Sequence, residues 1–195
     1  MKIFKILIAS IITLFINGCS EKSPIQGLLP QEITVVELNQ AYNIPVQVGV
    51  VNDSELNFTM NNEIIKMTLY CGRSSTGSTP IFAAIGQLQG FSFAGFSNLN
   101  LVQGFNYNES IATVTSYYDA NTYDSFLFTY YNGTVYFENQ NNINFSKTNY
   151  FVFKKLNAAT NEYTYGWISF LLAPTKITFL KVGYLNNSNI LVGVE

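Results

Sequence analysis

The 195-residue sequence contains no histidine. That absence removes Ser-His-Asp and Cys-His nucleophilic machinery and every histidine-ligated metal site. Charge is scarce too: Asp, Glu, Lys and Arg make up 11% of the chain, with ten basic residues against twelve acidic ones. So little positive charge gives no electrostatic footprint for nucleic acid. Arg73 is the single arginine, Trp167 the single tryptophan, and Cys19 and Cys71 are the two cysteines. The segment Gly72-Arg73-Ser74-Ser75-Thr76-Gly77 lacks the lysine of a phosphate-binding loop, and no dinucleotide fingerprint occurs, so no cofactor is expected. What the chain has in quantity is aromatic surface, with 13 tyrosines and 16 phenylalanines.

The amino terminus has the order of an export signal: Lys2 and Lys5, an apolar stretch from Ile6 to Ile16, then Ile16-Asn17-Gly18-Cys19. The stretch is shorter than the roughly 20 residues a permanent membrane helix needs, and no basic stop-transfer flank follows it. Its last four residues resemble the lipobox of bacterial lipoproteins, with a branched apolar residue three before the cysteine and a small residue just before it. The resemblance implies cleavage after Gly18, acylation of Cys19 and a lipid-anchored place in the cell envelope outside the cytoplasm. Ser20, in place of an aspartate, implies delivery to the outer membrane. Several acyl chains give stable anchoring where one does not, because each buried CH₂ contributes about 0.8 kcal/mol. The expected organisation is a signal peptide over 1–18, a lipidated terminus and flexible tether over 19–32, and one domain over 33–195.

Removing 1–18 leaves 177 residues and takes away Lys2 and Lys5, so eight basic residues face twelve acidic ones, a formal charge of −4. That length can bury a core without disulfides or metals. With Cys19 acylated, Cys71 has no partner for an intrachain disulfide and no histidine to activate it, and it reads as a small buried hydrophobe.

Short alternating apolar segments recur from Ile33 to the C-terminus between clusters of Asn, Gly, Ser and Asp, which is the pattern of an all-β chain. Asn132-Gly133 supplies the positive φ angles of a type I′ turn and predicts a hairpin over Ser125–Glu138. That pairing puts Phe126, Phe128, Tyr130, Val135 and Phe137 on a core face, opposite Leu127, Thr129, Tyr131, Thr134, Tyr136 and Glu138. Asn61-Asn62 predicts a second hairpin, joining Leu56–Met60 to Glu63–Tyr70. Further strands are expected at Ile33–Leu38, Pro45–Val51, Ile111–Tyr117, Tyr150–Lys155, Tyr163–Leu172, Lys176–Tyr184 and Ile190–Val194. One short helix is expected, capped by Thr79, opening at Pro80, with Ile81, Ile85 and Leu88 on one side and Gly90 as its stop. This many strands call for a two-sheet β-sandwich, with a β-barrel as the alternative.

The C-terminal third reads Tyr150-Phe151-Val152-Phe153-Lys154, then Tyr163-Thr164-Tyr165-Gly166-Trp167-Ile168, then Ile177-Thr178-Phe179 leading to Gly183-Tyr184. It resembles a group of exported bacterial proteins of unassigned activity; the resemblance implies an extracytoplasmic β-sandwich and brings no catalytic residues with it. From the residues alone, glycine in the strand permits close approach and a neighbouring ring can cover it, which assigns Trp167 to the core. A stacking platform for sugar is the alternative role for this indole.

Without histidine, hydrolysis would have to run on two carboxylates facing across a glycosidic bond, drawn from acids such as Glu109, Asp119, Asp124 and Glu138. Asp119, Asn121 and Asp124 place three hard oxygen donors in one loop, a weak match to a calcium site that lacks both a glycine bend and a bidentate glutamate. Tyr117, Tyr118 and Tyr123 flank the same loop, and their rings could stack on a sugar or contact an envelope protein. The sequence therefore points to a lipid-anchored, non-catalytic binding or assembly module with these tyrosines as its ligand surface. A carboxylate-dependent glycan hydrolase and a structural surface subunit are the alternatives.

Overall fold

The computed structural model describes residues 32–74, 81–96, 101–121, 124–131, 134–136, 142–143, 145 and 147–194, and at 96, 126, 128–131 and 134–136 the backbone alone. Cys19, the signal segment and the tether up to residue 31 lie outside these residues, as do Thr79, Pro80, Tyr123, the Asn132-Gly133 turn, Phe137 and Glu138. Glu32–Glu195 forms one compact unit.

The chain is all-β, a sandwich of two antiparallel layers that does not close into a barrel. Its strands are β1 (Thr34–Asn43), β2 (Val51–Met60), β3 (Glu63–Arg73), β4 (Ile81–Ile85), β5 (Phe91–Phe96), β6 (Leu101–Val102), β7 (Gly104–Phe105), β8 (Tyr117–Asp119), β9 (Ser125–Tyr131), β10 (Thr134–Tyr136), β11 (Asn149–Asn157), β12 (Glu162–Ala173) and β13 (Lys176–Leu185). One layer has the order β1-β13-β12-β11-β5, with β7 beside β11 and β8 beside β5; the other runs β2-β3-β4-β9, with β10 beside β9. β5 bends from one layer to the other, pairing with β11 through Phe91–Phe93 and with β6 at Gly95 and Phe96. β6 then meets β9 in parallel at Leu101 and Phe126.

The interior between the layers is aromatic. Phe93 lies 5.6 Å from Phe151, Phe151 6.0 Å from Phe170, and Phe170 5.9 Å from Phe179, centroid to centroid. Each such pair contributes about 0.5–1.5 kcal/mol beyond area burial. A second, smaller core covers the outer face of the β11–β12–β13 layer, where Ile111, Ile190 and Val192 pack over Val152 and Trp167. Strands β11 and β12 are thus buried on both faces at their centres, which their unbroken apolar runs require.

Both hairpins take the expected register. Met60 faces Glu63 across Asn61 and Asn62, whose φ angles are 50° and 63°, and Thr134 faces Tyr131. The face assigned to β9 needs correction at Leu127, which is fully buried. Phe126 and Phe128 pair with the adjacent residues Ala84 and Ala83, so Leu127 is the extra residue of a bulge. The expected helix is also overturned: Ile81–Ile85 is a strand bonded to β3 on one side and β9 on the other, and pairing on both edges outweighs the local cap and stop signals. Of Pro45–Val51 only Val51 is in a strand, as the first residue of β2; residues 45–50 are a loop crossing between layers, with Gly49 at φ 80°. In Ile111–Tyr117 the first three residues form a single 3-10 turn, and Ile190–Val194 contributes only the bridge of Leu191 to Ser110. Cys71 is buried without a disulfide partner.

β1 and β2 end the strand order and form no ladder with each other. Side chains join them instead. The Gln40 carboxamide donates from Nε2 to the Asn57 carbonyl at 2.7 Å and accepts the Asn57 N–H at 3.3 Å, so it stands in for a peptide group of a paired strand. The Tyr42 hydroxyl lies 2.6 Å from the Glu55 carbonyl oxygen and 2.7 Å from Gln40 Oε1, with one proton to donate between them.

Candidate functional site

At one end of the sandwich a cleft of about 730 Å³ opens between the β2–β3 turn, the loop from β4 to β5, and the β11–β12 turn. Local sequence builds each wall. Asn61 and Asn62 accept the left-handed backbone that tightens the first turn. Asn61 then ties that turn to the other layer: its N–H donates to the Tyr184 hydroxyl at 3.3 Å, and its Nδ2 donates to Thr164 Oγ1 at 3.1 Å and Asn186 Oδ1 at 3.2 Å. Gly90, at φ 77°, anchors the second wall. Its N–H donates to Asn121 Oδ1 at 2.9 Å, and its carbonyl accepts the Leu156 N–H at 2.9 Å. In the third wall Asn157 Oδ1 accepts the Ala159 N–H at 3.0 Å.

The floor is apolar, formed by Phe91, Ile65, Leu88 and Met60. Two lysines, Lys66 and Lys155, and one carboxylate, Glu63, line the cleft among the described residues. Lys155 Nζ lies 2.7 Å from Glu63 Oε2 and 5.9 Å from the centre of the Phe91 ring. An apolar floor, a rim of carboxamides and one charge pair suit recognition of a hydroxyl-rich ligand. They do not supply the two facing acids of a glycosidase.

Of the tyrosines singled out by sequence, Tyr117 and Tyr118 do not share a surface. Tyr117 and Tyr118 are consecutive in β8 and point to opposite sides of the sheet. Tyr118 is 7% exposed and packs edge-on against Phe93 at 6.4 Å in the inner core, which corrects its assignment to a ligand surface. Burial pushes its hydroxyl up to about 12, with a small opposing pull from Ser125. Tyr117 faces the outer side, where Lys154 Nζ sits 4.8 Å from its ring centre and 4.7 Å from that of Tyr163. Its pKa is raised by burial first and by Tyr165 second. Tyr123 lies outside the described residues. Trp167 is 1% exposed, as the core reading expects.

Two of the three side chains expected for calcium accept backbone N–H groups. Asp119 Oδ1 accepts the Asn121 N–H at 2.9 Å, and Asn121 Oδ1 accepts Gly90 N–H; Asp124 is exposed. Among the described residues no three acids or thiols gather as a metal site. Glu109 Oε2 accepts the Asn106 N–H at 2.9 Å, an ordinary turn contact.

Among the described residues of the Asp119–Asp124 loop only Asn121 lines the cleft, and of the Asn61-Asn62 turn only Asn61. Lys155, Glu63 and Asn157 were missed because their meeting depends on contacts 92 residues apart. Comparison with protein-family models, curated proteins and solved structures gives no match.

Proposed function

We propose that this chain is a lipid-anchored protein of the cell envelope whose sandwich acts as a non-catalytic binding module, with the end cleft as its ligand site and a glycan as its ligand. The observation that carries the binding reading is the cleft's composition. A floor of Leu88 over the buried Phe91, Ile65 and Met60 meets a rim of Asn61, Gln89, Asn121 and Asn157, and Glu63, the one lining carboxylate among the described residues, is paired with Lys155. Sugars offer the matching chemistry, with apolar C–H faces for the floor and hydroxyls for the carboxamides. The anchoring part rests on Lys2, Lys5, the apolar run and Ile16-Asn17-Gly18-Cys19. A cleft with one neutralised acid favours binding over hydrolysis.

Two experiments test the two halves. Screening the full chain on an array of envelope glycans should give binders that are lost in an Asn121→Ala/Asn157→Ala variant; a pattern unchanged by that variant rejects the cleft. Metabolic labelling with a clickable palmitate should mark the parent and not Cys19→Ala; equal labelling of the two rejects the anchor.

A further inference from the structure

We infer that the cleft selects a carboxylated sugar, whose carboxylate takes the place of Glu63 on Lys155. This rests on the reading of the cleft as a glycan site and names the class of glycan. Three observations carry it.

The ion pair is lopsided. The Lys155 side chain is 16% exposed, held within β11 beside Phe91, whereas Glu63 is 59% exposed at the first residue of β3. A pair with one member in water is held weakly by that member. Turning Glu63 outward exposes a carboxylate already largely solvated, and it frees a cation fixed in the cleft at the 2.7 Å spacing a carboxylate oxygen requires.

The lining is cationic against the trend of the molecule. Lys66 and Lys155 face one glutamate there, in a chain whose net formal charge is −2. Such local focusing draws anions toward the cleft.

The rim supplies donors. Asn121 and Asn157 each commit the side-chain carbonyl to a loop N–H, so their NH₂ groups remain to donate. Donors match an ionised carboxylate, which only accepts, and the ring oxygens of a sugar. No arginine lines the cleft to grip phosphate in two-pronged fashion, and the group now on Lys155 is itself a carboxylate.

The test is titration calorimetry of the full chain in detergent solution with trigalacturonic acid and with its methyl ester, which keeps the hydroxyls and removes the charge. The acid should bind at least tenfold more tightly, and rising ionic strength should weaken the acid alone. Glu63→Gln should strengthen acid binding several-fold, since no anion then has to leave, and should leave the ester unchanged. Lys155→Gln should bring the acid down to the level of the ester, whose retained binding shows that the cleft is still folded. Equal affinities for acid and ester in the parent, with both perturbing Asn121 and Asn157 in NMR spectra, would overturn the charge selection and leave the glycan reading standing. Absence of binding by both sugars also overturns this inference; the array of envelope glycans then decides the broader reading separately.

Discussion

Trp167 lies across Gly183, its register partner in β13, so closely that a Cβ on the glycine would fall 2.4 Å from Cε2 and Cζ2 of the indole. On the opposite face Phe153 covers Gly166 in the same manner, with Cζ 2.4 Å from the position of a Cβ. The two glycines let β11 lay Phe153 over β12 in one core and β12 lay Trp167 over β13 in the other. Gly183→Ala should therefore cost about 1–3 kcal/mol by overpacking. Urea unfolding followed by the fluorescence of the single tryptophan should show a lower midpoint and an altered emission maximum in the folded baseline. An unchanged midpoint would show that the indole can move aside freely.

Stability should fall in alkali. Burial raises the Cys71 thiol from 9.0 to about 12 and the Tyr118 hydroxyl from 10.0 to about 12. Both groups hold their protons more tightly in the folded chain, so their contribution is complete below the unfolded pKa values and is lost as pH rises from about 9 to about 12. The thermal midpoint should decline through that window, less steeply in Cys71→Ala once its own packing loss is subtracted. A thiol reagent at pH 8 should leave folded Cys71 untouched and modify it in denaturant.

The Gln40 clasp leads to a prediction about edges. Gln40→Ala removes two hydrogen bonds to Asn57 at an exposed seam, where water replaces them, so the loss should be about 1 kcal/mol or less. The larger effect should be on exposure: the Asn57 amide should exchange faster with solvent by NMR. Asp53 and Glu55 on the same edge should still keep the protein monomeric in sedimentation, since charges on an edge strand oppose strand addition. This guarded edge gives no support to a structural-subunit role.

Much of the fold was legible because local chemistry and tertiary demand agree there. Asn61-Asn62 needs positive φ and gets it, and Tyr163–Leu172 lies within the strand β12. The misreadings occur where they disagree. Ile81–Ile85 carries helix-like flanks, yet β3 and β9 claim it as a strand. Tyr117 and Tyr118 are adjacent in sequence, yet the pleat sends one to each side. Leu127 follows the hydrophobic alternation until a bulge turns it inward. Lys155 and Glu63 carry no local sign of one another, because a cleft between loops is a property of the packed layers.

Asn121 should prove structural as well as ligand-facing. Asn121→Ala removes the acceptor of the Gly90 N–H, and a net loss of about 0.5–1.5 kcal/mol is expected. Hydrogen exchange should quicken at Gly90, next to the cleft, and stay unchanged at Val182 in the inner core.

The assignment of ligand binding to the end cleft is tested most directly by retention on immobilised envelope polysaccharide of three proteins, each folded at the assay temperature: the parent, Asn121→Ala/Asn157→Ala, and Tyr117→Ala on the outer face. The account predicts that the parent and Tyr117→Ala are retained alike and that the double variant washes through. Retention of the double variant together with loss of Tyr117→Ala would contradict it and place the binding surface on the tyrosines around Lys154.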